Sequence, residues 1–283
     1  MKELLNRISN DIRKDLSKID NKLSIVRIIP VLENNAVDTL IHIGYSQTLY
    51  KICEDLGINV YEEYINSSPY NLYNDAREYI TKYNIRTDVT GIMYDSPFIN
   101  DKFENTINTL IYTNKDIECL TPINIGKYLT KQQYETIPPL QSSVDMLIHE
   151  YIKCDLLRIG IIHSISNFNN VFNPVSNVDN NTYIISTVKD DTFIDLDMAS
   201  LDVIISCMYD TYRRIDDTTM CWSDNIHAKL VIDYGWRTTS CVPSIDNNIF
   251  NDYTTHLTLY NGLMDLYIYN VIKNMIRLYK KTL

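Results

Sequence analysis

The run 193–202, Phe-Ile-Asp-Leu-Asp-Met-Ala-Ser-Leu-Asp, is the sharpest catalytic pattern in the chain. Read as a strand, it puts Asp195 and Asp197 on one face, because side chains alternate with a period of two. Two carboxylates so placed could hold Mg²⁺ as half of a two-metal clamp. Other catalytic patterns are missing from the sequence. The five histidines, His42, His149, His163, His227 and His256, form neither HxH nor HxxxH. His149 and Cys154 are five apart, which is not one helical face. The six cysteines, Cys53, Cys119, Cys154, Cys207, Cys221 and Cys241, contain no CxxC pair, which excludes a zinc ribbon and a redox dithiol. There is no GxSxG elbow. The seven glycines stand alone and make neither GxGxxG nor a P-loop. No cofactor and no metal site is therefore expected.

The 193–202 run resembles the first motif of oligoribonuclease-type exonucleases, in which a strand presents two acidic residues to divalent metals. The resemblance implies a metal-dependent nuclease with Asp195 and Asp197 as the low-ranked catalytic candidates. It covers ten residues. Asp197 stands where that family has Glu, and Ser200 where it has Gly. Only 81 residues follow Asp202 to carry the family's further acidic motifs. The competing reading is a surface hairpin leading into a helix, with Asp197 or Ser200 capping free amides.

Composition bounds the class. The chain has 283 residues, 45% of them hydrophobic, which is enough to build a core without disulfides or metals. Seven Gly and eight Pro are too few for a turn-rich β-sandwich. The wealth of Ile, Asn, Tyr, Asp and Lys follows the codons of an AT-rich genome, a style found in large DNA viruses, some phages and some bacteria. Net charge is −10 and no long basic run exists, so neither nucleic acid nor an anionic membrane surface is an expected partner. The first residues lack the apolar run of a signal peptide, and no stretch is long and apolar enough to span a bilayer, so the expected location is cytoplasmic or intracellular, with incorporation into a virion an option. Scattered cysteines in such a chain are expected to be reduced and buried.

The elements that must position any site follow from periodicity. Leu4, Leu5, Ile8, Ile12, Leu16, Ile19 and Leu23 form one helical stripe. A β-branched run over 24–32, interrupted by Pro30, predicts a strand near a sheet edge. Residues 37–56 predict a helix ended by Gly57. Further helices are expected at 72–83, from Pro97 to about 112, near 123–134, at 144–164 and at 199–212, with strands at 58–65 and 89–94. Residues 183–188 and 193–196 read as a hairpin. Residues 226–234 are ambiguous. A final helix over 256–280 is apolar around most of its circumference. The expected fold class is α+β, mainly helical with a few short strands and no recognised superfold. The expected organisation is a helical α+β lobe at 1–166, an Asn-rich loop or linker at 167–182, and a smaller lobe at 183–283 with a hairpin and a long C-terminal helix. A single continuous domain is the alternative.

The segment 208–236 holds both tryptophans among Tyr and Arg, the residues that dominate interface hot spots. Together with the terminal stripes it gives the interface candidates Leu5, Ile8, Ile12, Leu16, Trp222, Trp236, Leu266, Ile272 and Met275. The favoured functional reading is a non-enzymatic structural or assembly protein, such as a component of a virus or phage particle, with protein partners that include a second copy of itself. The alternatives are a viral or bacterial factor that binds a host protein as a monomer, and the metal-dependent nuclease using Asp195 and Asp197.

Overall fold

The structure is a computed structural model of the chain. It describes residues 1–31, 36–66, 71–95, 106–152, 156–163, 182–187, 200–207, 228–234 and 254–282. The chain divides into two compact units. The first is Lys2–Ser142 together with Asp265–Leu283, and the second is Ser143–Met264 with Met1.

In the first unit the order is α1 (Lys2–Leu16), β1 (Ser24–Val31), α2 (Ala36–Leu56), β2 (Asn59–Asn66), α3 (Leu72–Asn84), β3 (Gly91–Tyr94), α4 (Pro122–Leu129) and the start of α5 (Pro139–Tyr151), which from Ser143 on belongs to the second unit; α6 (Leu263–Thr282) returns to the first. The three strands form a parallel sheet in the order β2-β1-β3. Gly57 ends α2 with φ +72°, and the next amide, of Ile58, closes back on the Cys53 carbonyl at 2.8 Å. β1 is the central strand and not an edge. Its ladder with β3 stops at the Ile28–Tyr94 pair, so Pro30 lies where one neighbour has ended and its missing N–H is tolerated. Val26 and Ile28 of β1 enter a core with Leu72, Ala76 and Ile80 of α3. The alternate residues, Ile25, Arg27 and Ile29, are equally buried and point the other way.

The second unit holds β4 (Arg158–His163), β5 (Thr182–Thr187), β6 (Val203–Cys207), β7 (Leu230–Asp233) and β8 (Thr255–Thr258). All four pairings are parallel, in the order β5-β4-β6-β7-β8. Ile159, Ile161, Ile162, Val203, Ile204, Ile205, Leu230, Val231 and Ile232 are all buried.

The fold is thus parallel α/β, which overturns the expectation of a mainly helical α+β chain with a few short strands. The physical reason is in those strands. A strand buried on both faces loses its alternation and becomes a short continuous apolar run, which periodicity cannot tell from a helix segment. Ile159, inside the helix expected at 144–164, lies in β4. The helix expected over 199–212 contains β6. The helix expected from 256 begins instead as β8. Residues 183–188 contain most of β5, but its partner is β4, in parallel, and not a hairpin strand; 193–196 lies outside the described residues.

Candidate active site

The first unit gathers its charged groups at one end of its sheet. Ligands of open parallel sheets sit beyond the carboxyl ends of the strands, where the strand order reverses. Here that place is the end of β1 and β3. Arg27 on β1 is 1% exposed. Glu62 is its register partner on β2, and the two are linked Nη1 to Oε1 at 2.9 Å. Asp95, the first residue beyond β3, donates its amide to the Ile28 carbonyl at 2.9 Å and so continues the ladder. Its carboxylate takes both forks of the guanidinium, with Arg27 Nε at 3.1 Å from Oδ1 and Nη2 on Oδ2. Arg27 also donates to the Ser46 hydroxyl, and its guanidinium carbon lies 4.5 Å from the centre of the Tyr45 ring; both partners are on α2. Burial alone would depress the Arg27 pKa, but the charge and hydrogen bonds of Asp95, with help from Glu62, outweigh it and hold the cation firmly charged.

A second carboxylate sits beside this cluster, with no ion pair of its own among the described residues. Beyond β3 the chain returns to the sheet at a parallel bridge between Ile92 and Asp116, which sets Glu118 two residues further on. The turn that aims Glu118 is built locally. The Asp116 carboxylate accepts the amides of Leu120 and Thr121 and the side chain of Asn124, each at 2.9 Å. Cys119, directly after Glu118, adopts φ +57°, a left-handed conformation costly for a residue with a side chain. Tyr267 on α6 donates its hydroxyl to Glu118 at 2.8 Å. Burial pushes the Glu118 carboxyl up to about 8; Asp95 and Asp116 add to that, while the Tyr267 hydrogen bond opposes it. The Tyr45 ring meets that of Tyr267 edge to face at 6.4 Å. The Tyr45 hydroxyl is buried and makes no hydrogen bond among the described residues. Burial, and then the nearby Glu118 charge, raise its pKa well above the usual phenol value. The cluster therefore holds a fixed cation, a carboxyl that exchanges its proton near neutrality and an unpartnered hydroxyl. That combination suits general acid–base chemistry.

None of the described residues expected from sequence belongs to this cluster. Asp195, Asp197, Trp222 and Trp236 fall outside the described residues. Ile8, Ile12, Leu266, Ile272 and Met275 are buried in the core of the first unit, and Leu5 and Leu16 are half-buried. Among the described residues no group of three His, Cys, Asp or Glu could hold a metal, and no helix is long and apolar enough to cross a membrane. Cys53 and Cys119 are free and buried, their thiols pushed up to about 12 by that burial. His256 Nε2 lies 3.7 Å from the fully buried carboxylate of Asp233 in the second unit. Sequence reasoning missed Arg27, Tyr45, Glu62, Asp95, Glu118 and Tyr267. One signal was legible. Arg27 interrupts the apolar run Ile25-Val26-Arg27-Ile28-Ile29, and a charge at such a position must be paired.

No protein-family model matches the chain. It is 28% identical over 161 residues to the bifunctional protein FolD of Clostridium botulinum (strain Kyoto / Type A2), a match that covers 56% of this chain and 55% of that one. The chain spans about half the length of the curated relatives it matches. Over 100% of its length it superposes on 98% of a solved FolD-type methylenetetrahydrofolate dehydrogenase/cyclohydrolase from Campylobacter jejuni, with a TM-score of 0.73 and 20% identity. The NAD-dependent 5,10-methylenetetrahydrofolate dehydrogenase of Saccharomyces cerevisiae gives a TM-score of 0.73 at 13% identity, covering 99% of this chain and 96% of that one. The chain therefore has the Rossmann-like α/β fold of these enzymes. The expected structural, assembly or virion role is overturned, because the relatives are bifunctional FolD proteins and the structural neighbours are methylenetetrahydrofolate dehydrogenases. The host-binding and nuclease alternatives fall with it.

Proposed function

We propose that the chain is an enzyme acting on a one-carbon derivative of tetrahydrofolate, and that its acid–base group is Glu118. The observation that carries this reading is the Glu118 carboxyl, poised at about 8 at the carboxyl end of a parallel sheet. The likeness in sequence and fold to FolD-type enzymes supplies the substrate class. Interconversion of such derivatives makes and breaks carbon–nitrogen bonds at the one-carbon bridge. Every step that makes or breaks such a bond with water moves a proton to or from nitrogen or water, and a group whose pKa lies near the working pH moves it most efficiently. Arg27 does not serve in that role, because it stays charged. It fixes Asp95, Glu62 and the α2 face against which the substrate lies. Tyr267 orients the Glu118 carboxyl, and the Tyr45 hydroxyl is left to meet a polar atom of the substrate. A cytosolic location belongs to the same proposal.

The test is calorimetric titration of the purified chain with 5-formyltetrahydrofolate, followed by turnover assays on 5,10-methenyl- and 5,10-methylenetetrahydrofolate. Binding, and turnover of at least one of the two, are expected, with kcat reduced by roughly 10²–10⁴ in Glu118→Gln, the usual size of a general acid–base contribution, and KM little changed. A chain that binds no folate, or a Glu118→Gln variant with full kcat, overturns the proposal.

A further inference from the structure

The second unit has the form of a dinucleotide-binding sheet, but its residues do not fit a dinucleotide. In the order β5-β4-β6-β7-β8 the strand order reverses between β4 and β6, and there a dinucleotide would lie across the carboxyl ends. Its pyrophosphate is held in such folds by backbone amides at a helix N-terminus. Glycines make this possible: one for the tight turn after the first strand, one for the close approach of backbone to phosphate, and one for packing of the helix on the strand. This chain has no glycine between Gly160 and Gly235. The stretch without glycine begins inside β4 and covers everything that leaves β4, β5, β6 and β7 up to that point. Gly160 itself offers no cradle, because the place its Cβ would take is filled by Leu201. Charge points the same way. Residues 143–264 carry 16 acidic and seven basic side chains, net −9 of the chain's −10. A pyrophosphate would enter a field of its own sign.

We infer that this chain works on its folate substrate without a nicotinamide dinucleotide and catalyses only a hydrolytic step, at the oxidation level of formate. The inference rests on the reading of the Glu118 site given above and narrows its reaction class. The chemistry balances without an electron acceptor. In 5,10-methenyltetrahydrofolate the bridging carbon is shared by two nitrogens in an amidinium cation. Water oxygen bonds to that carbon, one carbon–nitrogen bond breaks, the released nitrogen takes a proton, and one proton leaves to solvent. The product is a formyltetrahydrofolate. Nothing is oxidised or reduced. Glu118 accepts the proton of the attacking water and returns one to the departing nitrogen.

The experiment uses the full chain in three arms. Calorimetry with NAD⁺ and NADP⁺ up to about 1 mM, the weak end of ordinary enzyme affinities, is expected to give no binding heat, against a 5-formyltetrahydrofolate titration that does. Hydrolysis of 5,10-methenyltetrahydrofolate above the buffer rate is expected without added nucleotide. With 5,10-methylenetetrahydrofolate, neither NAD⁺ nor NADP⁺ is expected to be reduced. Binding or reduction of either dinucleotide overturns the inference and leaves the folate site standing. Folate binding with no hydrolysis also overturns it. Absence of folate binding removes the site itself, and the inference with it.

Discussion

Glu118 is the residue on which the proposed chemistry turns, and its proton leaves a mark on stability. An exposed glutamate ionises near 4.5, whereas this one holds its proton to about 8. Between those values the folded chain binds a proton that the unfolded chain has released. Its contribution is therefore complete below pH 4.5 and is lost as the pH rises through 8. The slope is up to about 1.4 kcal/mol per pH unit. Urea unfolding at a series of pH values across that window is expected to show the decline in the wild type and a flatter line in Glu118→Gln; parallel lines would mean that Glu118 ionises normally. Arg27 behaves differently, because its charge never changes. Arg27→Met leaves the carboxylates of Asp95 and Glu62 facing each other at a buried site, and such an uncompensated charge costs about 3–5 kcal/mol. Chemical denaturation near neutral pH should read a loss of that size, and a change under about 1 kcal/mol would show the pair to be screened as at a surface. Neither residue declared its role in the sequence. Arg27 was visible as a charge inside an apolar strand, but its partners lie 35 and 68 positions away, and only the parallel register brings them together. Glu118 follows Asp116 within an ordinary polar stretch. The raised pKa comes from burial, which no spacing rule reports.

At the scale of elements, the site depends on how closely the return segment approaches β3. Gly91, the first residue of β3, permits this. A Cβ there would lie 2.6 Å from Cγ2 and 2.7 Å from Cδ1 of Ile117, a fully buried side chain branched at Cβ and so poorly able to move aside. Gly91→Ala is expected to push Ile117, and with it Glu118, away from the sheet. Overpacking of this kind costs about 1–3 kcal/mol. Thermal unfolding should fall by roughly 2–4 °C for each kcal/mol, and kcat should drop with it although no reacting group is altered. Unchanged melting and turnover would show that the segment accommodates a methyl group. Elements of the first unit were largely legible, because α1, α3 and the end of α2 carry amphipathic stripes and a Gly57 stop that act locally. The second unit was not. Its strands are buried on both faces, so Ile159, Val203 and Leu230 lose the alternation that marks a half-exposed strand. The Asn-rich run 166–182 directed attention to a boundary in sequence, whereas the division into units depends on α6 returning to the first unit after 264. A contact between residues far apart in the chain, such as Tyr267 with Glu118 or Lys280 with Asp15, leaves no local pattern to read.

At the scale of the whole molecule, the two units divide the charge, and the proposed reaction places the function in the first of them. The first unit carries 20 acidic and 19 basic residues and is nearly neutral, while the second carries almost the entire net charge. A ligand that binds only the folded first unit stabilises it by about 2.7 kcal/mol at one hundred times its dissociation constant, which slows exchange through global opening of that unit by about 100-fold. Amide exchange with saturating 5-formyltetrahydrofolate is therefore expected to slow in β1, β2 and β3, whose amides lie in the sheet that carries Arg27 and Asp95. Exchange in β4, β6 and β7 is expected to keep its rate if the units open independently, and to slow equally if they open as one cooperative block. NADP⁺ is expected to change neither set. Protection confined to β4–β8 would place the folate in the second unit, and the acid–base cluster around Glu118 would then be a structural network and not a site.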